Sequence, residues 1–301
     1  FMIIPDAGSN DIEQIKDLLK LGKKVLILDH HQINDDEQNT KFVDQEGNII
    51  GVIINNQLDE YSTDLAGTGV VYKFLVALTE NELEHYMDLV AIANIADSMY
   101  LNSFESRYII DKGLKNINNE LMKELIENAK LEGDLTPTDI SFNVSNYINA
   151  VIRFGTIQEK ENLFRALIGE EEEIEYTPRK SRNNPNPQTE TQTLQKAMVR
   201  ISKSIKSKQD TAKKKSVEKC KQFISENGLD KYKTIVLIDE DNELIDRKIT
   251  GLIAMNLVSI YKKSVVLLGR TKEKYTGSMR GFGVENFKEI FVNIVKRNIE
   301  Q

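Results

Sequence analysis

The sequence predicts an α/β protein of two domains, and three observations carry that reading. Met2-Ile3-Ile4-Pro5 and Val25-Leu26-Ile27-Leu28 are short apolar runs, separated by Ile12, Ile15, Leu18 and Leu19 at helical spacing and by Gly22 as a stop. Strand, helix and strand in so short a span is the pattern of a parallel crossover unit. A similar alternation returns near the C-terminus, where Lys233 to Ile238 and Ser264 to Leu268 flank a helix from Ile249 to Tyr261. Between the two lies a Pro-, Asn- and Thr-rich stretch, Thr177 to Thr193, which reads as a linker.

Composition sets the outer limits. A chain of 301 residues is long enough for two hydrophobic cores, and 40% hydrophobic with 29% charged residues fits a soluble globular protein. No apolar run approaches the ~20 residues of a membrane-spanning helix, so no membrane is expected. No signal-peptide pattern is present. Cys220 is the only cysteine, which excludes a disulfide within the chain and points to a cytoplasmic setting. The net charge of −7 conceals an asymmetry: Pro178 to Gln222 holds 13 Lys and Arg against 3 acids, so this stretch carries +10 and the remainder −17. Such a segment suits contact with a phosphate backbone, or simply forms a solvated helix face.

In order, the first unit is followed by a strand from Ile49 to Ile54, ending at Asn55-Asn56. Asp64-Leu65-Ala66-Gly67-Thr68-Gly69 opens a helix whose apolar face is Val70, Val71, Phe74, Leu75 and Leu78. Its glycines either admit an anion to exposed N–H groups or serve close packing. Glu82 to Ala96 is a strongly apolar helix that ends at Asp97, with His85 read as a packing or surface residue; helices follow at Arg107 to Ile117 and Leu121 to Leu131. In Ile148 to Gly155, Asn149 and Arg153 interrupt a buried pattern, so each needs a partner such as a carboxylate or phosphate. Leu163 to Ile168 finishes the body, and Glu170 to Glu173 is an acidic, solvated run. After the linker, Leu194, Met198, Ile201 and Ile205, then Ala212, Val217, Cys220 and Phe223, describe one long helix ending at Gly228. Beyond the second alternation, Tyr275 to Gly283 reads as a loop, with Gly277, Ser278, Arg280 and Gly281 suited to gripping a phosphate, and Val284 to Val295 as a last helix.

The chemistry-bearing residues gather at strand ends. Asp6 follows the first apolar run and Asp29-His30-His31 ends the second, and two of the chain's three histidines stand side by side there. Neighbouring parallel strands present their C-terminal ends on one edge, where open α/β sheets bind ligands, so Asp6 and Asp29-His30-His31 are expected to converge. Carboxylates with imidazole suit Mn²⁺, or Mg²⁺ where oxygen ligands dominate.

The blocks "PDAGSND", "LDHHQ", "LAGTGVVYKF", "IANIADSMYL", "INAVIRFG" and "GSMRGFG", in this order, resemble the DHH phosphoesterase superfamily, and within it the RecJ-like single-strand-specific 5′→3′ exonucleases. The resemblance runs from Ile3 to about Phe287. It implies a parallel-sheet DHH catalytic domain over 1–176, a linker and long basic connector helix over 177–228, and a smaller α/β DHH-associated domain over 229–301. It further implies that Asp6 bridges two metal ions and that His30 and Asp97 ligate one of them. His31 would face the scissile phosphate with Asp29 in support. Arg153 would contact the nucleic-acid backbone, while Ser278 and Arg280, with Gly277 and Gly281 in the same motif, would hold the strand end. The implied cofactors are two Mn²⁺ or Mg²⁺ ions; the implied partners are single-stranded nucleic acid, foremost DNA, and proteins of replication or repair.

One departure stands out. The family's first motif, a pair of aspartates on an earlier strand, precedes none of these blocks, and Asp6, His30 and Asp97 are too few to hold two octahedral ions. Residues upstream of Phe1 are expected to supply it; if they are truly missing, one metal and the nuclease activity are lost. The oligonucleotide-binding domain that follows in many RecJ proteins is expected to be lacking. Alternative readings are a phosphodiesterase for very short oligonucleotides or cyclic dinucleotides, or a catalytically degenerate scaffold that has lost its metals. A type II pyrophosphatase fits the closing loop less well.

Overall fold

The computed structural model describes residues 1–33, 40–58, 64–178, 180, 182 and 184–283. The expected helix from Val284 to Val295 lies outside the described residues. The chain divides into two compact units: residues 1–148 with 161–200, and residues 149–160 with 201–301.

The first unit is built on a four-stranded sheet. β1 (Met2–Pro5), α1 (Ile12–Lys20) and β2 (Val25–Asp29) form the crossover, followed by β3 (Lys41–Val43) and β4 (Ile49–Asn55). The strand order is β1-β2-β4-β3; β1, β2 and β4 are parallel, and β3 closes one edge antiparallel to β4. Every residue of β2 is buried, because successive side chains enter opposite cores. Val25 and Ile27 meet Ile15 of α1 with Phe42 and Ile53 on one face. Leu26 and Leu28 meet Val70 of α2 (Gly67–Thr79) on the other. Each such apolar side chain contributes about 1.5–3 kcal/mol on burial.

Beyond α2, the expected helix over Glu82 to Ala96 is split into a short 3₁₀ turn at Glu84–Tyr86 and α3 (Met87–Ala96). α4 (Phe104–Lys115) and α5 (Glu120–Asn128) are each started by a side-chain cap, Ser103 and Asn119. α6 (Pro137–Ile140) opens on a Thr136–Asp139 capping box, passes through a π-helical turn at Ser141–Ser145 and continues as α7 (Asn146–Phe154). α8 (Ile157–Leu167) follows.

Two sequence readings are corrected at this point. The stretch read as a linker contains β6 (Glu190–Thr193), paired antiparallel with β5 (Glu173–Tyr176). Backbone pairing is indifferent to the polar side chains that suggested a linker. The acidic run is not wholly solvated either: Arg165 pairs Glu170 at 2.6 Å and Glu172 at 2.7 Å.

α9 (Leu194–Glu226) is the predicted long helix, and the division between units passes through it. The second unit carries β7 (Thr234–Asp239), α10 (Thr250–Tyr261), β8 (Ser264–Arg270) and β9 (Tyr275–Arg280) in a sheet of order β7-β8-β9. Its core joins Cys220 and Ile224 of α9 to Ile235, Leu237, Ile253, Leu257 and Leu267. β9 corrects the reading of Tyr275 to Gly283 as a loop: its first six residues pair antiparallel with β8. A Cβ at Gly277 would stand 1.8 Å from the Leu267 carbonyl oxygen, so this glycine serves close strand approach rather than a turn.

Candidate metal centre and phosphate pocket

Three parallel strands end side by side, and each delivers a polar residue to the same edge. The backbone N–H of Asp6, just past β1, donates to the Leu28 carbonyl at 2.8 Å. Asp29 closes β2 in register with Asn55, which closes β4. Asp6 takes a left-handed φ of 59°, a conformation that aspartate tolerates better than most residues, and this turns the chain off the sheet.

Asp29 is 1% exposed and organises the edge from beneath. Its carboxylate accepts from the N–H of Ser9 at 3.0 Å, of His30 at 2.8 Å and of His31 at 3.3 Å, and pairs with His31 Nδ1 at 2.7 Å. Burial works against its charge, but the bonds from His31, Ser9 and His30 prevail and hold the carboxyl far below the usual range. The same contact, with the nearby charges of Asp29, Asp6 and Asp97, raises the His31 pKa above 6.5. Asn55 completes the support by donating to Ser9 Oγ at 2.8 Å and to the His31 carbonyl at 3.0 Å.

Above this base, buried His30 presents Nε2 at 3.2 Å from both Asp6 Oδ1 and Asp97 Oδ2. Asp97 reaches this point because α3 ends on it, with Ser98 in a left-handed turn immediately after. His31 joins the group: one ligand atom each from Asp6, His30 and His31 lies within 4.8 Å of the others. Asp6, Asp29, His30, His31 and Asp97 are therefore brought together in the first unit. Carboxylate oxygens with imidazole nitrogens are a donor set that Mn²⁺ accepts readily and Mg²⁺ tolerates.

Three contributors escaped the sequence reading. Asn94 is fully buried and accepts from the Ala66 N–H at 2.9 Å, tying α3 to the start of α2. Asn55 and Ser9 hold the Asp29 platform. Asn94 carries a sequence signal as a polar residue inside an apolar helical run, whereas Ser9 and Asn55 stand beside other polar residues and carry none.

In the second unit, Arg153, Gly277, Ser278 and Arg280 do come together, lining a cavity of about 410 Å³. Arg153 is exposed toward this cavity, not buried as its apolar neighbours suggested. Gly251, in the first turn of α10, leaves the room they need: a Cβ there would lie 2.8 Å from Arg280 Nη2 and 3.5 Å from Ser278 Oγ. Gly281 follows β9 as an exposed residue and does not line the cavity. Arg247, Lys248 and Thr250, which the sequence reading passed over, do.

No family model matches the chain. It is 32% identical, over 97% of its length, to a SPbeta prophage-derived protein of Bacillus subtilis named as a single-strand DNA-specific exonuclease, YorK, and spans 50% of that protein. It is 24% identical over 94% of its length to the single-stranded-DNA-specific exonuclease RecJ of the same species, spanning 33% of it. The chain thus covers half or less of the curated relatives it matches. Among solved structures, an exonuclease RecJ bound to manganese superposes with a TM-score of 0.68, 20% identity and coverage of 96% of this chain and 65% of the other. Sequence likeness along nearly the whole chain, the shared fold and the strand-end cluster agree, and the chain resembles the RecJ-like single-strand DNA-specific exonucleases that it matches.

Proposed function

We propose that the protein is a metal-dependent exonuclease that degrades single-stranded DNA in the 5′→3′ direction. The first unit would act as the catalytic domain and the second as the DHH-associated domain that holds the strand end. One observation carries the reading: Asp6, His30, His31 and Asp97 converge on the C-terminal edge of a parallel sheet, above a buried carboxylate that bonds the His31 ring and the backbone N–H of both histidines.

Asp6, His30 and Asp97 would hold Mn²⁺ or Mg²⁺. Bound divalent cations neutralise a phosphodiester and lower the pKa of a water that attacks it. His31, kept protonated to higher pH by Asp29, is placed to donate to the phosphoryl oxygens as their charge grows. The His30 backbone N–H is held by Asp29 at 2.8 Å, and its ring turns Nε2 toward Asp6 and Asp97, where it would meet the cation. Arg153, Ser278 and Arg280 would grip the terminal phosphate. Support for a single-stranded substrate comes from the exposed Tyr100, Phe104 and Tyr108 just after Asp97, with the Phe104 and Tyr108 rings stacked at 6.5 Å; exposed aromatic faces are what unpaired bases stack on. A cytoplasmic setting, with replication or repair proteins as partners, follows from the same reading.

The test is a length series of 5′-labelled single strands with Mn²⁺, using the wild type and His30→Ala. Stepwise release from the 5′ end, abolished in the variant, is expected. Cleavage confined to dimers and trimers would assign the protein to the short-oligonucleotide phosphodiesterases. No cleavage and no Mn²⁺ binding would make it a degenerate scaffold.

A further inference from the structure

The pocket of the second unit carries more positive charge than one terminal phosphate requires. Arg153, Arg247, Lys248 and Arg280 all line it, and no carboxylate does among the described residues. None of these four cations takes part in an ion pair among the described residues.

The additional pair is held in place. Arg247 donates from Nε and Nη2 to Asn242 Oδ1 at 3.1 and 2.6 Å. Asn242 sits in a left-handed turn, and the following backbone N–H groups of Glu243, Leu244 and Ile245 are tied to buried Asp239. The N–H of Lys248 donates to the Asp246 carboxylate at 3.0 Å, and Lys248 Nζ lies 5.3 Å from the centre of the Phe154 ring. Directly after the pair in sequence, α10 begins with no side-chain cap, and its Thr250, Gly251 and Leu252 line the same cavity.

A terminal phosphomonoester carries about −2, which Arg153 and Arg280 match with Ser278 as a further donor. A triphosphate end carries about −4, the charge of all four cations together. We propose that Arg247 and Lys248 extend the pocket into a site for a strand end bearing a chain of phosphates, and that they make the protein prefer a 5′-triphosphate over a 5′-monophosphate. This rests on the reading of Arg153, Ser278 and Arg280 as the groups that hold a strand end.

The test is fluorescence anisotropy of the metal-free full chain, so that nothing is cut, with 3′-labelled single strands ending in 5′-hydroxyl, 5′-monophosphate or 5′-triphosphate. The triphosphate should bind tighter than the monophosphate by on the order of tenfold, the size of two exposed charge pairs. R247Q/K248Q should erase that step while keeping the step from hydroxyl to monophosphate. Equal affinity for mono- and triphosphate, or a triphosphate preference that survives in R247Q/K248Q, overturns the proposal and leaves the end-binding reading standing. Equal affinity for hydroxyl and monophosphate overturns both. Because each comparison is a ratio within one protein, a general loss of folding in the variant does not mimic either result.

Discussion

A Cβ on Gly67 would stand 2.3 Å from Asp6 Oδ1, so the carboxylate occupies the space that any side chain at the start of α2 would take. The glycine at this helix start is therefore a packing device, but one that packs against a candidate metal ligand. Gly67→Ala should gain about 1 kcal/mol of helix propensity and lose about 1–3 kcal/mol to crowding. Stability by urea unfolding is expected to change little, while Mn²⁺ affinity by calorimetry falls at least about tenfold, on the order of 1.4 kcal/mol, because Asp6 must swing away. Unchanged Mn²⁺ binding would show that Asp6 is not a ligand.

Asp29 and His31 give the metal-free protein a defined pH response. Asp29 is depressed from 3.8, so its contribution is present above that pH and is lost as the pH falls toward its folded value. His31 is raised from 6.5, so its contribution is complete below that pH and disappears as the pH rises through its folded value. The pair stabilises most between about pH 4 and 6.5. Urea midpoints of the wild type minus those of a His31→Asn variant should peak in that window and shrink on both sides; a flat difference would refute the coupling.

Asp239 does for the second unit what Asp29 does for the first. Its buried carboxylate accepts from the N–H groups of Glu243, Leu244 and Ile245 at 3.0, 3.0 and 2.8 Å. Asp239→Ala should destabilise that unit by about 3 kcal/mol, the cost of leaving partly buried donors unpaired. Native-state hydrogen exchange should show lost protection at residues 243–245. Protection equal to wild type would mean the loop is held by something else.

Cys220 is fully buried on the inner stripe of α9, and burial pushes its thiol up to about 12. It should react with a thiol reagent at pH 8 only on unfolding, so that labelling and urea transitions coincide. The raised value also means that the thiol favours folding below about pH 9 and that this contribution fades as the pH approaches 12. Rapid labelling of the native protein would place Cys220 at the surface.

Local pattern alone determined the crossover unit, because alternation and helical spacing are written in consecutive residues such as Val25 to Leu28 and Ile12 to Leu19. It also placed Asp6 and Asp29-His30-His31 on one edge, since parallel strands must end together. The role of Asp97 was legible only through motif resemblance, whereas Arg153, Ser278 and Arg280 were marked locally, Arg153 as a cation interrupting an apolar helix and Ser278 and Arg280 as phosphate-gripping groups in a glycine-rich stretch. Tertiary structure alone decided what surrounds these groups. That Asn94 ties α3 to the start of α2, that Gly67 yields to Asp6, and that Arg247 and Lys248 join Arg153 round one cavity depend on residues far apart in sequence. The strand at Tyr275–Arg280 and the hairpin at Glu173–Tyr176 and Glu190–Thr193 were missed for the same reason: backbone hydrogen bonding to a distant partner overrode turn-forming and polar side chains. Periodicity reports which face of an element is buried, whereas the identity of its neighbours is set by packing between elements that no local pattern encodes.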